Sequence, residues 1–299
     1  MGSQMTDLIT KFLDYLKKEK RYSSHTLSSY STDLGQFSTF LEQSYELKEA
    51  QKATPSMVRS WLIDMMEAGT SSSSINRKLS SLKSFYKYLI IIKEIEINPM
   101  LKVSGPKKQK RLPDFVETRK MNSLFEQVEF SDDFEGKRDE LILDLFYQSG
   151  MRLSELIGLK MTDFDKYSNQ LKVLGKGNKV RMLPLSTSLS EKIASYLKIR
   201  SEEFPESEAY VFLTDKGEKC YPNFVYRKVS SYLSKVTTQS KKSPHVLRHS
   251  FATHMLNNGA DINAIKEILG HANLSATQVY THNTFEKLKS VYKQSHPRA

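Results

Sequence analysis

Through the first hundred residues the apolar side chains recur at helical spacing and never alternate as a strand would. Leu8, Phe12, Leu13 and Leu16 form one stripe, interrupted at Ser23-Ser24-His25. Leu27, Tyr30, Leu34, Phe37, Phe40 and Leu41 form a second. Pro55 suits the first turn of a third helix, through residues 57–66, which holds Trp61 and Leu62. After a turn at Gly69 and residues 71–74, a fourth helix carries Ile75, Leu79, Leu82, Phe85, Tyr86 and Leu89. The same helix carries Arg77, Lys78, Lys83 and Lys87.

Asn98-Pro99 closes this region. Residues 102–113 hold two prolines, one glycine and the basic residues Lys102, Lys107, Lys108, Lys110 and Arg111, with no acid before Asp114; this reads as a basic linker. Beyond it the patterning is mixed. Residues 141–148 read as a helix that stops at Gly150, and residues 153–159 begin another. Residues 170–174 and 180–185 read as two short strands joined by the turn Gly175-Lys176-Gly177-Asn178-Lys179. Later helices are broken at Pro205, Gly217 and Pro222. A last helix, about 284–295, has Phe285, Leu288, Val291 and Tyr292 as its apolar face, with Asn283 as its cap and Glu286 in the third position. The expectation is a mainly α protein. An all-helical domain covers residues 1–101, and a mixed, mostly helical α+β domain covers residues 114–299.

Composition removes several classes. Mean hydropathy is −0.50, and no apolar run approaches the ~18 residues of a membrane span. Residues 1–12 lack the basic start and apolar core of a signal peptide. One cysteine, Cys220, permits neither an intrachain disulfide nor a Cys-rich zinc site. His249, His254 and His282 invite a metal reading, but His-Ser-Phe-Ala-Thr-His lacks the zinc-binding His-Glu-x-x-His spacing, so no metal is expected. Lysine plus arginine number 45 against 34 acids, a formal charge of +11, which favours an anionic partner such as nucleic acid.

Four local patterns stand out. In Ser243-Pro244-His245-Val246-Leu247-Arg248, Ser243 reads as N-cap and Pro244 as the first helical residue. With Leu247, Phe251 and Met255 buried, His245 and Arg248 fall on the exposed first turns, where free N–H groups favour a phosphate. A solvated surface pair is the alternative. Gly270 caps residues 262–269; His271 follows, and Tyr280 sits nine residues on, in a short helix with Ser275 as its expected cap, or as an ordinary half-buried packing residue. Arg152 starts a helix after Gly150, where an ion pair with Glu155 is the structural reading. Lys176 lies at the hairpin tip, where a plain turn lysine would also fit; the spacing is not that of a P-loop.

Together and in this order, these pieces resemble the tyrosine recombinase (integrase) family. The resemblance runs through SGMRLSELIGL, LGKGNKVRMLPL, HVLRHSFATHML and LGHANLSATQVYTH. YSSHTLSSYSTDLGQFSTFL and SSSSINRKLSSLKSFYKYL resemble that family's SAM-like core-binding domain. Length and ending look most like the Xer-type members. The resemblance implies a catalytic set of Arg152, Lys176, His245, Arg248, His271 and Tyr280. Tyr280 is then the nucleophile, the two arginines clamp the non-bridging oxygens, the histidines add hydrogen bonds, and Lys176 protonates the leaving 5′-oxygen; His245 is also a candidate to assist proton removal from Tyr280. It implies no cofactor, neither metal nor ATP. The partner is double-stranded DNA, held in a C-shaped clamp, with Arg77, Lys78, Lys83, Lys107, Lys108, Lys110 and Arg111 as candidate contacts. It further implies a tetramer on two synapsed sites, of one chain or with a paralogue, an FtsK-type DNA translocase as a further partner, no membrane, a cytoplasmic, nucleoid-associated location, and a C-terminal helix docking on a neighbouring protomer, with packing on its own domain as the alternative.

The expected role is resolution of chromosome dimers at a dif-like site. An integrase of a mobile element shares the chemistry and differs in its sites. A type IB topoisomerase is the second class; robust relaxation without site preference would mark it. A DNA-binding protein without catalysis and a metal nuclease fit the residues less well.

Overall fold

The computed structural model describes residues 4–107, 114–175, 179–207, 209–270 and 282–298. The chain divides into two compact units, Met1–Arg111 and Leu112–Ala299.

The first unit is built of four helices, α1 (Gln4–Lys18), α2 (Ser24–Tyr45), α3 (Pro55–Glu67) and α4 (Ser72–Ile91). Each of the last three starts where a hydroxyl satisfies a free N–H of its first turn: Ser23 accepts from Thr26, Thr54 from Met57 and Ser71 from Ser74. The stripes converge on one core containing Phe12, Leu34, Phe37, Trp61, Leu82 and Phe85, each buried. Burying a side chain of this size is worth about 1.5–3 kcal/mol. Asp33 lies fully inside this unit and accepts from Arg77, Lys78 and Ser81.

The expected domain end at residue 101 falls short. A 3₁₀ turn at Pro99–Lys102 buries Met100, Val103 joins the same core, and Asn76 Nδ2 donates to Pro106 O at 2.9 Å. Gly105 lies so close to Asn76 that a side chain would collide with it. The described part of the expected linker, through Lys107, is therefore fastened to the first unit as far as residue 106. Lys108, Lys110 and Arg111 lie outside the described residues.

In the second unit α5 (Thr118–Glu126), α6 (Phe134–Ser149) and α7 (Leu153–Gly158) precede a small antiparallel sheet. Its strands are β1 (Phe164–Asp165), β2 (Gln170–Leu174) and β3 (Val180–Pro184), in that order, with Lys172 opposite Met182. Then follow α8 (Thr187–Glu203), α9 (Pro222–Val236), α10 (Pro244–Asn257), α11 (Ile262–Leu269) and α12 (His282–Ser295). Helix α6 is buried along nearly its whole length and forms the centre of this core.

Three sequence expectations change. Helix α6 begins at Phe134, not near 141, because Asp133 caps it, Gly136 gives Ser131 room, and the buried Arg138 is matched by Asp139 and Asp215. Ser243 holds the N-cap position of α10 without a side-chain cap bond. Helix α12 begins at His282, so Asn283 is already inside it.

The C-terminal helix packs on its own unit. Leu288 and Tyr292 are buried in this unit's own core. Tyr292 Oη donates to Gln148 Oε1 at 3.0 Å, Asn258 Nδ2 to Ser295 O at 2.8 Å, and His296 Nε2 to Tyr147 O at 3.1 Å. These are contacts of the described part of the helix with its own unit.

Candidate active site

The site begins at the end of α6. Gly150 adopts φ +59°, and an added Cβ would stand 2.5 Å from Phe251 and 2.7 Å from Leu269, so both the backbone and the packing require glycine. This sharp stop makes Arg152 the N-cap residue of α7 and leaves the Gly150 carbonyl facing α10. Helix α10 is anchored by Leu247, Ser250, Phe251 and Met255, all buried.

Arg248 was expected on an exposed turn beside His245. Only His245 is exposed. Arg248 is 9% exposed, because its guanidinium donates to Gly150 O at 2.5 Å and Leu269 O at 2.8 Å. Those carbonyls compensate the desolvation that would otherwise exclude a buried charge. Burial first, and the nearby charge of Arg152 second, pull its pKa down to about 10, which leaves it protonated at neutral pH.

Helix α11 supplies the matching end. Its last carbonyls have no partner within the helix and form the negative pole of its dipole. Three arginines take them one apiece. Arg181 Nε donates to Ile268 O at 2.8 Å, an Arg248 amino group to Leu269 O at 2.8 Å, and an Arg152 amino group to Gly270 O at 3.1 Å. Gly270 ends the helix in the left-handed conformation, as its sequence position predicts.

One carboxylate sits among these cations. Glu155 accepts from the Arg152 side chain at 2.8 Å, the Arg152 backbone N–H at 2.7 Å, and Arg181 twice, at 2.9 and 2.8 Å. Burial alone would raise its pKa; the paired donors, Arg181 foremost, hold it at about 2. Three guanidinium groups around one carboxylate leave an excess of two positive charges. The expected Arg152–Glu155 ion pair is present, and the Arg152 side chain is still 31% exposed. The cluster can therefore bind an anion at that opening.

Lys176, His271 and Tyr280 lie outside the described residues, as does Ser275. The chain on either side of them is described. Gly175, just before Lys176, lies where an added Cβ would stand 3.4 Å from both Glu155 and Arg181, and its N–H donates to Lys179 O at 2.7 Å. Gly270, just before His271, carries the carbonyl that Arg152 holds.

Arg181 was not among the sequence candidates. A signal for it existed: on β3 it shares a face with Leu183, whose side chain is buried, and a charged residue on such a face calls for a partner. Among the candidate DNA contacts, Lys83 and Lys107 are exposed. Arg77 and Lys78 are tied to Asp33; Arg77 keeps half its side chain in solvent and Lys78 little. Among the described residues, no His, Cys, Asp and Glu group could hold a metal ion, and no helix is long and apolar enough to cross a membrane.

Residues 114–287 match the phage integrase family, and residues 9–92 match the phage integrase N-terminal SAM-like domain. The chain belongs to the phage integrase family. Full-length relatives refine this. Tyrosine recombinase XerC of Chlorobaculum tepidum is 38% identical over 97% of this chain and 94% of its own length. Tyrosine recombinase XerC of Listeria innocua is 38% identical over 99% of this chain and all of its own. The chain is thus a tyrosine recombinase, an enzyme of DNA strand exchange. Solved structures share the fold. XerH site-specific recombinase bound to palindromic difH substrate has a TM-score of 0.73 at 21% identity, over 94% of this chain and 83% of that one. A lambda integrase tetramer bound to a Holliday junction has a TM-score of 0.68 at 15% identity, over 92% of this chain and 80% of that one.

Proposed function

We propose that this enzyme cuts and rejoins DNA at a specific site through a 3′-phosphotyrosyl intermediate, with Tyr280 as nucleophile. The observation that carries the reading is the Arg152–Arg248 pair, fixed by carbonyls and Glu155 and left with excess positive charge at an exposed edge. Phosphodiesters resist attack because they are anionic and their alkoxide leaves poorly. Arg152 and Arg248 hold the non-bridging oxygens as charge builds. The Tyr280 oxygen bonds to phosphorus and the bond to the 5′-oxygen breaks. Lys176 gives that oxygen its proton, while His245 and His271 donate hydrogen bonds and His245 assists removal of the phenolic proton. The phosphotyrosine keeps the bond energy, so a 5′-hydroxyl from a partner strand displaces it without ATP, and two such exchanges pass through a Holliday junction.

The XerC relatives support the role of resolving chromosome dimers at a dif-like site, in the cytoplasm, by a tetramer of this chain or of this chain with a paralogue. An FtsK-type translocase is the partner that goes with this role. The helical unit through residue 106 or so, with Lys83 and the basic run from Lys107 through Lys108 and Lys110 to Arg111, grips phosphates, and the second unit cuts. Incubation with a nicked substrate that traps the covalent intermediate tests the chemistry. The native protein accumulates a protein–DNA adduct, and Tyr280→Phe binds the DNA without one. An adduct on the Phe variant removes Tyr280 from the role.

A further inference from the structure

We propose that Arg181 is a positioning residue for phosphoryl transfer: by taking both oxygens of Glu155 and the Ile268 carbonyl, it leaves the charge of Arg152 available to the scissile phosphate. The inference rests on the reading that Arg152 binds that phosphate. Arg181 is 4% exposed, so it does not touch DNA itself.

Glu155 is a buried carboxylate beside the exposed edge of Arg152. With one counter-ion only, such a carboxylate would hold that counter-ion closely, since attraction strengthens as the surroundings become less polar. Arg152 would then be neutralised by its own neighbour. Arg181 prevents this: its two amino groups engage both carboxylate oxygens, and Arg152 contributes one side-chain bond to Glu155. A guanidinium has five N–H donors, and Arg152 spends one on Glu155 and one on Gly270 O, leaving three for an anion.

The third bond of Arg181 adds a mechanical link. Its Nε holds Ile268 O, and its guanidinium lies against Gly270, where an added Cβ would stand 3.1 Å from it. Arg181 itself stands five residues beyond Lys176 along the chain. One side chain thus joins the hairpin that bears Lys176, the helix that bears Arg152, and the end of α11, from which the chain continues to His271. Lysine could not replace it, because a single ammonium cannot make a bidentate contact and a separate carbonyl bond in three fixed directions.

The test is single-turnover cleavage of a nicked duplex by Arg181→Gln, Arg181→Lys and Arg152→Ala in the full chain, on two substrates. One carries the normal scissile phosphate. The other carries a methylphosphonate, in which a methyl group replaces one non-bridging oxygen and the charge is gone. Arg181→Gln is expected to cleave the phosphate about 30-fold more slowly than the native protein, with DNA affinity changed by less than about threefold. On the neutral substrate the gap closes to less than about fivefold, because less positive charge is required there. Arg181→Lys falls between the two and carries the same comparison if the Gln variant does not melt cooperatively. Cleavage of the phosphate within about threefold of native overturns the proposal, and so does an equal deficit on both substrates, which marks a merely structural role. If Arg152→Ala cleaves as well as the native protein, the underlying reading of Arg152 fails. If Arg152→Ala is inactive and Arg181→Gln is normal, only this proposal falls.

Discussion

Three glycines of the second unit separate backbone strain from crowding. Gly158, the last residue of α7, has no positive φ and nothing within 4 Å of an added Cβ. Gly259 has φ +84° and equally open surroundings. Gly150 has φ +59° and two core side chains inside 3 Å. Gly158→Ala should be neutral or stabilise by about 0.5–1 kcal/mol, through lost chain entropy in the unfolded state. Gly259→Ala should cost about 1–2 kcal/mol, the penalty of the left-handed region for an L-residue. Gly150→Ala adds about 1–3 kcal/mol of overpacking against Phe251 and Leu269, for a total of about 2–5 kcal/mol. Urea denaturation followed by far-ultraviolet circular dichroism measures the series. Trp61 is the only tryptophan and lies in the first unit, so its fluorescence is an internal control that should not move. Equal midpoints for Gly150→Ala and Gly259→Ala would refute the crowding argument. Cleavage by Gly150→Ala should also fall at temperatures where it is folded, since the carbonyl that holds Arg248 shifts.

Three further variants test charge and burial. Asp33→Asn removes the counter-ion of Lys78 and Arg77 and should lower the Trp61 transition by about 2–3 kcal/mol, discounted for the half-exposed Arg77; Lys83→Ala should leave that transition alone and weaken DNA binding. His296 is held neutral by burial, with its pKa lowered to about 4. Below pH 6.5 the unfolded chain takes up a proton that the folded chain refuses, so stability should fall by about 3 kcal/mol between pH 6.5 and 4. His254, also lowered by burial, adds to that limb. His296→Gln should flatten the limb in urea melts taken across this range; an unchanged slope would remove His296 from the account.

The helices of the first unit were legible because their cores repeat with one period, and Ser23, Pro55 and Ser71 mark their starts. The hairpin was legible from its glycine-rich turn, although β1, only two residues long, gave no pattern to read. Residues 134–140 were missed because Glu135, Lys137, Arg138 and Asp139 offer no apolar stripe, whereas Arg138 and Asp139 are buried and pair with each other, with Asp215 and with Lys228. The same error hid the depth of Arg248 and the existence of Arg181. Hydrophobic periodicity assigns charges to solvent, and it cannot show that distant carbonyls stand ready to receive them. Motif order, which does not depend on depth, singled out Arg152, His245 and Arg248 before any packing was known, while the anchors of the two arginines came from the folded chain.

On the proposed mechanism, the clasp at the end of α11 also governs when the molecule becomes dangerous to DNA. Its bond from Arg248 closes only 21 residues, but the other two join positions 118 and 87 residues apart along the chain. Such distant closures are among the slowest in folding, because chain entropy must be surrendered before any of them gives a return. No nascent fragment ending before α11 owns the carbonyls on which all three cations converge. Newly synthesised chains therefore pass through most of their maturation without an assembled phosphate seat, and cutting competence arrives together with the finished fold.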